Sequence, residues 1–343
     1  MQQQQIPCSQ RFAEVASVKR FSELSEVRAA VADYILGLRV TSLLTGGGGR
    51  CAEDRDHPIE VLSFQPPAAS GPPIILIGGM GPLAGAVGFE RAIEYFGTRR
   101  EIVLYQACWI PNRMTAMLEP NRTIDGLPIQ RYLVEGVSSA IAQAKEYLQT
   151  GSANILIMLM CNAVHYYLPL VKADLQKRYP KLASSVEYIS LVEAVMAEME
   201  KSQLNKPLLL GTSATRMGGV YSAPLKKRGI NCKELSEGEQ EILMSAIYQG
   251  VKAFEQEYAC MKVEELFNLL YSKFNSTIQP ESLDIDCAIA GCTEVPILLD
   301  WLHEKSQIDD AVRGWFAQVK VINPVISAFK WISAREEAFL TVK

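Results

Sequence analysis

Long apolar runs are missing from this chain. The longest, Ile155–Met160 with its neighbours, falls well short of the ~18 residues a membrane span needs, so it reads as a buried strand. Met1 is followed by four glutamines rather than an apolar stretch, which argues against a secretory leader and points to the cytoplasm. Nor is there a block of like charge. Thirty-four Lys and Arg against 38 Asp and Glu leave a formal charge of −4, without the clustered basic face that nucleic-acid binding requires. Cysteine is sparse: eight in 343 residues, none paired as C-x-x-C, exclude a disulfide scaffold. With only His57, His165 and His303 beside them, the sequence supports no metal site. The glycines of Gly78–Pro82 do not complete a G-x-G-x-x-G fingerprint, so a nicotinamide cofactor is unsupported.

What is present is an ordinary globular composition, 48% hydrophobic and 21% charged, long enough for two domains and an appendage. Leu24, Val27, Val31, Ile35 and Leu38 recur at helical spacing within Phe21 to Arg39, and Gly46–Gly49 stops that helix. The run Pro66-Pro67-Ala68-Ala69-Ser70-Gly71-Pro72-Pro73 reads as a linker. Beyond it, short apolar runs alternate with helical segments, the pattern of an α/β fold with a mainly parallel sheet. Strands are expected at Ile74–Ile77, Ile102–Tyr105, Ile155–Met160, Val186–Ile189, Leu208–Leu210 and Ile285–Ala290. Helices are expected at Leu83–Phe96, Ile129–Leu148, His165–Arg178, Leu191–Lys201, Glu239–Glu257 and Val263–Phe274.

Two strand-end motifs recur. Ile77-Gly78-Gly79-Met80-Gly81-Pro82 pairs with Leu210-Gly211-Thr212-Ser213-Ala214-Thr215, and Met160-Cys161-Asn162-Ala163 pairs with Gly291-Cys292-Thr293-Glu294. The offsets, 133 residues from Gly78 to Gly211 and 131 from Cys161 to Cys292, nearly coincide. A duplicated unit is the economical reading: 1–72 an extension, 73–203 lobe 1, 204–330 lobe 2 and 331–343 a C-terminal tail or helix. Ligands of open α/β sheets sit at the carboxyl ends of the strands, where all four motifs lie. A cysteine there, at the start of a helix, is expected to have its thiolate favoured and its pKa lowered. Two such thiols flanking one carbon would take a proton from one face and return one to the other. Each cysteine is equally a type of residue that cores bury.

The segments Ile77–Leu83, Met160–His165 and Ala290–Pro296 resemble, in this order, the signatures of the cofactor-independent aspartate/glutamate racemases, closest to the aspartate racemase branch. The resemblance runs from about Ile74 to about Val325. It implies two similar doubly wound α/β lobes with an active site between them, a homodimer, and an isomerase that interconverts L- and D-aspartate, or glutamate, with neither cofactor nor metal. Cys161 and Cys292 become the acid/base thiols, the first serving the D-enantiomer and the second the L-enantiomer. Asn162 and Thr293 match positions that bind substrate polar groups or orient the thiols, Glu294 and Ala163 join them as substrate-binding positions, and Thr212 and Thr215 match a carboxylate-binding turn. Gly79 and Met80 belong to the other strand-end turn, whose N–H groups, with those of Gly211–Thr215, are the expected donors to a developing enediolate. Lys252, in Ile247–Lys252, matches a lysine that meets a substrate carboxylate; an ordinary helix lysine is the plainer reading. For the arginine that grips the side-chain carboxylate two residues compete, Arg113 after Pro111-Asn112 and Arg122 in Pro120-Asn121-Arg122-Thr123. His165 agrees with the family's histidine, near the thiol or capping a helix. Ala163 departs from the family's usual threonine, which bears on substrate choice.

Rivals are a same-fold isomerase, decarboxylase or racemase of another small acid, and a catalytically silent ligand-binding homologue. The extension would serve as a dimer arm, a lid or a partner-binding segment.

Overall fold

Runs of consecutive branched aliphatic residues have no polar face to give to water, so they settle as strands covered on both sides. In the computed structural model, which describes residues 14–45, 57–149, 151, 154–274, 285–305 and 309–341, the chain divides into two compact units. The first holds the described residues up to Thr41, from 57 to Met160 and Tyr167–Ile189; the second holds 42–45, Cys161–Tyr166 and the described residues from Ser190 onward.

The first unit contains β1 (Ser17–Phe21), β2 (Glu60–Phe64), β3 (Ile74–Gly78), β4 (Ile102–Gln106), the short hairpin β5 (Thr123–Ile124) and β6 (Leu127–Pro128), β7 (Ile155–Leu159) and β8 (Val186–Ile189). Six of these form one sheet in the order β1-β2-β4-β3-β7-β8. Pairings from β4 through β8 are parallel, while β2 runs antiparallel to β4 and parallel to β1. Every residue of β3, β4 and β7 is buried. The second unit contains β9 (Pro207–Gly211), β10 (Lys233–Glu234), β11 (Cys287–Gly291) and β12 (Lys320–Ile322), all parallel in the order β10-β9-β11-β12. In chain order, β4-β3-β7-β8 and β10-β9-β11-β12 have the same arrangement: second, first, third, fourth. The first strand of each set ends in glycine, and a cysteine lies just beyond the third.

The sheet of the first unit also reaches into the residues that the sequence assigns to an extension. β1 and β2 carry alternating or mixed patterns, SVKRF and EVLSF, too short to stand out by periodicity, and they gain their place by pairing. The helix between them, Leu24–Thr45, buries Val27, Val31, Tyr34 and Leu38, whereas Leu24 is exposed. The expected glycine stop at Gly46–Gly49 lies outside the described residues. The proline-rich segment is pinned rather than free. Ser70 and Gly71 donate their N–H groups to the Arg99 carbonyl at 3.1 and 3.0 Å, and the buried Arg100 guanidinium donates to the Pro72 carbonyl. Arg100 also lies over the Phe96 ring at 5.2 Å, and burial lowers its pKa to about 10.

One expected helix is broken. Glu239–Glu257 resolves into Glu237–Ser245, a π-helical turn Ala246–Val251, and a new helix Gln256–Phe274 that absorbs Val263–Phe274. Phe254 turns the chain with φ +62°, while Glu255 donates its N–H to the Gly250 carbonyl at 2.9 Å. Close packing drives the break, because a Cβ on Gly250 would come within 2.5 Å of the Ala259 Cβ.

The turn after β3 depends on Gly79, with φ +85° and a hypothetical Cβ 2.5 Å from the Ala107 backbone, whereas Gly229 has φ +76° in open space. Gly79→Ala should therefore cost about 3 kcal/mol, dihedral strain plus overpacking, and Gly229→Ala only about 1 kcal/mol. Urea unfolding midpoints at constant m compare the two.

Candidate active site

Cysteine, asparagine and glutamate side chains gather in the second unit. Cys292 follows β11 directly and precedes the helix Val295–Lys305. Its Sγ–H donates to Glu294 Oε2 at 2.8 Å, and the Thr293 hydroxyl donates to the same oxygen at 3.2 Å. Cys292 and Glu294 are both buried. Burial, followed by the Glu294 carboxylate, pushes the Cys292 thiol well above its ordinary pKa. This reverses the lowered pKa expected from a helix start, because desolvation and an adjacent anion outweigh the dipole of a short helix. Glu294 Oε1 is buried with no hydrogen-bond partner among the described residues.

Cys161 sits two residues beyond the end of β7, ahead of a 3-10 turn, Ala163–Tyr167, and the helix Leu168–Arg178. Ala163 opens that turn and is buried. His165 faces backbone on both sides: its Nδ1 lies 3.0 Å from the Cys161 carbonyl, and its Nε2 accepts the Leu191 N–H at 3.2 Å. An accepting Nε2 puts the proton of a neutral ring on Nδ1, where it donates to the Cys161 carbonyl. His165 thus braces the turn that carries Cys161.

Asn162 is buried, and its Oδ1 accepts a hydrogen bond from the hydroxyl of Tyr221, a fully buried residue that the motifs do not mark. Burial raises the Tyr221 phenol far above its ordinary pKa, and the Cys292 and Cys161 thiols add to the effect. The only local signal for Tyr221 is the preceding Gly218-Gly219 pair. Gly219 takes φ +58° and Val220 donates its N–H to the Thr215 carbonyl at 3.2 Å, which turns the chain back after the helix Ser213–Met217.

Thr212 and Thr215 brace the strand ends. Thr212 caps the helix Ser213–Met217 by accepting the Thr215 N–H at 3.3 Å, and the two hydroxyls lie 3.1 Å apart. The Thr215 hydroxyl donates to the Gly291 carbonyl at 3.0 Å, joining the ends of β9 and β11. Lys252 caps the π-helical turn, half-buried, with its ammonium 5.1 Å from the Tyr248 ring centroid. Single π-turns of this kind recur at functional positions.

The first unit separates the two arginines. Arg113 is buried and donates to the Met80 carbonyl at 2.6 Å and the Pro111 carbonyl at 3.3 Å, so it underpins the turn that Gly79 and Met80 make. Arg122 is half exposed and paired with Glu119 at 3.3 Å, an ordinary surface ion pair. Among the described residues no group of three or more His, Cys, Asp or Glu side chains is placed to hold a metal ion. No helix among them is long and apolar enough to cross a membrane.

No protein-family model matches the chain. Among solved structures, Picrophilus torridus aspartate racemase is similar with a TM-score of 0.52 and 21% identity, covering 74% of this chain and 90% of that one. A candidate Asp/Glu racemase from Yersinia pestis is similar with a TM-score of 0.50 and 17% identity, covering 76% and 96%. The fold is that of the aspartate/glutamate racemases. The α/β class and parallel sheets expected from the strand pattern agree with it.

The Cys292 environment has a measurable consequence. Mass-spectrometric alkylation with iodoacetamide across pH should show Cys292 reacting only above the ordinary thiol range of about 8.5. Glu294→Gln removes the neighbouring negative charge, so its midpoint should move down while burial keeps it above that of a free thiol. A midpoint unchanged in Glu294→Gln would assign the whole shift to burial.

Proposed function

We propose that this chain is a cofactor-independent racemase of a small acidic amino acid, aspartate first and glutamate second, working by proton transfer at Cα between Cys161 and Cys292. One observation carries the reading: a cysteine lies just beyond the third strand of each four-strand set, Cys161 after β7 and Cys292 after β11. That fits two bases serving opposite faces of one carbon, each near hydrogen-bond reach of the reacting proton.

Starting from the D-enantiomer, Cys161 as thiolate takes the Cα proton and becomes a thiol. The electron pair passes into the substrate carboxylate as an enediolate, and Cys292 delivers its proton to the opposite face and becomes a thiolate. The burial that keeps Cys292 protonated suits it to that donor role. In the reverse direction Glu294, already accepting the Cys292 proton, is placed to take it and free the thiolate. Deprotonating the α-carbon of an amino acid is difficult, and fixed donors aimed at the developing charge are the usual remedy. Arg113 is the better-supported anchor for the side-chain carboxylate, since a buried guanidinium has already shed the water that an exposed Arg122 keeps. Lys252 is assigned the substrate α-carboxylate. A homodimer and a cytoplasmic setting complete the reading.

The two thiols are tested one at a time in D2O. Cys292→Ala should abolish racemisation of aspartate from either enantiomer yet leave Cα–deuterium exchange of the D-form. Cys161→Ala should leave exchange of the L-form only, because a lone base reaches one face and cannot invert the carbon. Proton NMR of each variant with each enantiomer reads the outcome. Racemisation near the wild-type rate in either variant would remove the two-thiol mechanism, and a wild-type protein without exchange would make the chain a silent homologue.

A further inference from the structure

A buried phenol with a single polar partner satisfies its proton only when that partner accepts it. Tyr221 is fully buried, and its one hydrogen bond runs to the Asn162 side chain. The phenol remains protonated at any physiological pH, since burial and the two thiols disfavour its anion. A phenol oxygen can also accept, but the bond here runs from the hydroxyl to Asn162 Oδ1, the arrangement that satisfies the phenol proton. An asparagine amide offers one acceptor oxygen and one donor nitrogen on opposite sides, so engaging the oxygen settles where the nitrogen goes. Asn162 Nδ2 is left buried, with no hydrogen-bond partner among the described residues. A buried donor left without a partner destabilises the fold unless something else accepts from it.

We propose that Tyr221 is a positioning residue that locks the Asn162 amide with its oxygen inward, so that the two Nδ2 protons are held ready for the substrate carboxylate as it gains enediolate character. This rests on the racemase reading above and adds to it a specific donor and the residue that aims it. Tyr221 itself supplies no proton, because its only one is committed to Asn162. The adjacent chain position keeps this donor beside Cys161, and the phenol that fixes it lies within electrostatic reach of both thiols. Fixed donors aimed where charge develops stabilise the transition state more than the ground state.

Four variants test the lock, each measured for aspartate racemisation. Tyr221→Phe keeps the ring but lets the amide turn over, and kcat should fall about 10- to 100-fold with KM changed less than about threefold, in line with loss of one preorganised donor. Asn162→Asp keeps an acceptor for the phenol but has no donor to offer, so its loss should be at least as large. In Tyr221→Phe combined with Asn162→Ala, kcat should be no lower than in Asn162→Ala alone, whereas a merely structural tyrosine would add its own loss. Near wild-type kcat in Tyr221→Phe, or additive losses in the double variant, overturns the proposal. A readout independent of activity separates it from the racemase reading. In protein labelled with 15N-asparagine, the side-chain amide resonance that vanishes in Asn162→Asp should shift in Tyr221→Phe. An unmoved resonance overturns the lock even if the protein racemises aspartate, and a shifted one upholds it even if the wild type is inactive on aspartate.

Discussion

The second unit depends on how closely two parallel strands can end side by side. Gly211 and Gly291 are register partners at the last positions of β9 and β11. A Cβ on Gly291 would fall 2.5 Å from a Leu209 methyl carbon, and one on Gly211 would fall 3.2 Å from the Gly291 carbonyl oxygen. With glycine at both ends the strands close up, and the Thr215 hydroxyl reaches across to hold the Gly291 carbonyl. The residues that emerge next, Thr212 on one strand and Cys292 on the other, inherit their positions from that approach. The same turn then brings Tyr221 back under the strand ends.

From that geometry follows an environment in which every polar group is either answered or conspicuously left over. The Thr215 and Thr212 hydroxyls, the His165 ring and the Tyr221 phenol all have partners. Asn162 Nδ2 and Glu294 Oε1, one donor and one acceptor beside the two cysteines, have none among the described residues. Buried polar atoms without partners are rare in folded proteins, and each calls for an explanation. Under the racemase proposal, the carboxylate and ammonium groups of an amino acid are the complements of these two atoms. The burial that leaves these orphans costly also raises the Cys292 thiol well above its ordinary pKa.

Bracing and reacting roles fall to neighbouring residues of similar type. Thr215 and His165 match family positions by sequence, yet their hydrogen bonds tie them to backbone carbonyls and amides. Arg113 and Arg122 occupy similar tripeptides, but one underlies the Met80 turn and the other pairs with Glu119 at the surface. No local pattern separates them. Burial and partner identity do, and both are properties of chain segments brought together from far apart.

The sequence by itself determined the α/β class and the central strands, and it displayed the repeated strand-end motifs with their cysteines. Each of these rests on a local signal: an apolar run that can only be a covered strand, glycines that only a tight turn needs, or a motif repeated at one offset. Only the tertiary structure decided that β1 and β2 join the sheet, since short mixed strands such as Ser17–Phe21 are stabilised by pairing rather than by their own periodicity. It also decided the direction of the Cys292 pKa, because desolvation and the Glu294 carboxylate act through space while the helix start is all that the sequence displays. Tyr221 stayed hidden for the same reason. Its partner lies 59 residues away in the chain, and a single long-range hydrogen bond leaves no trace in composition, periodicity or spacing.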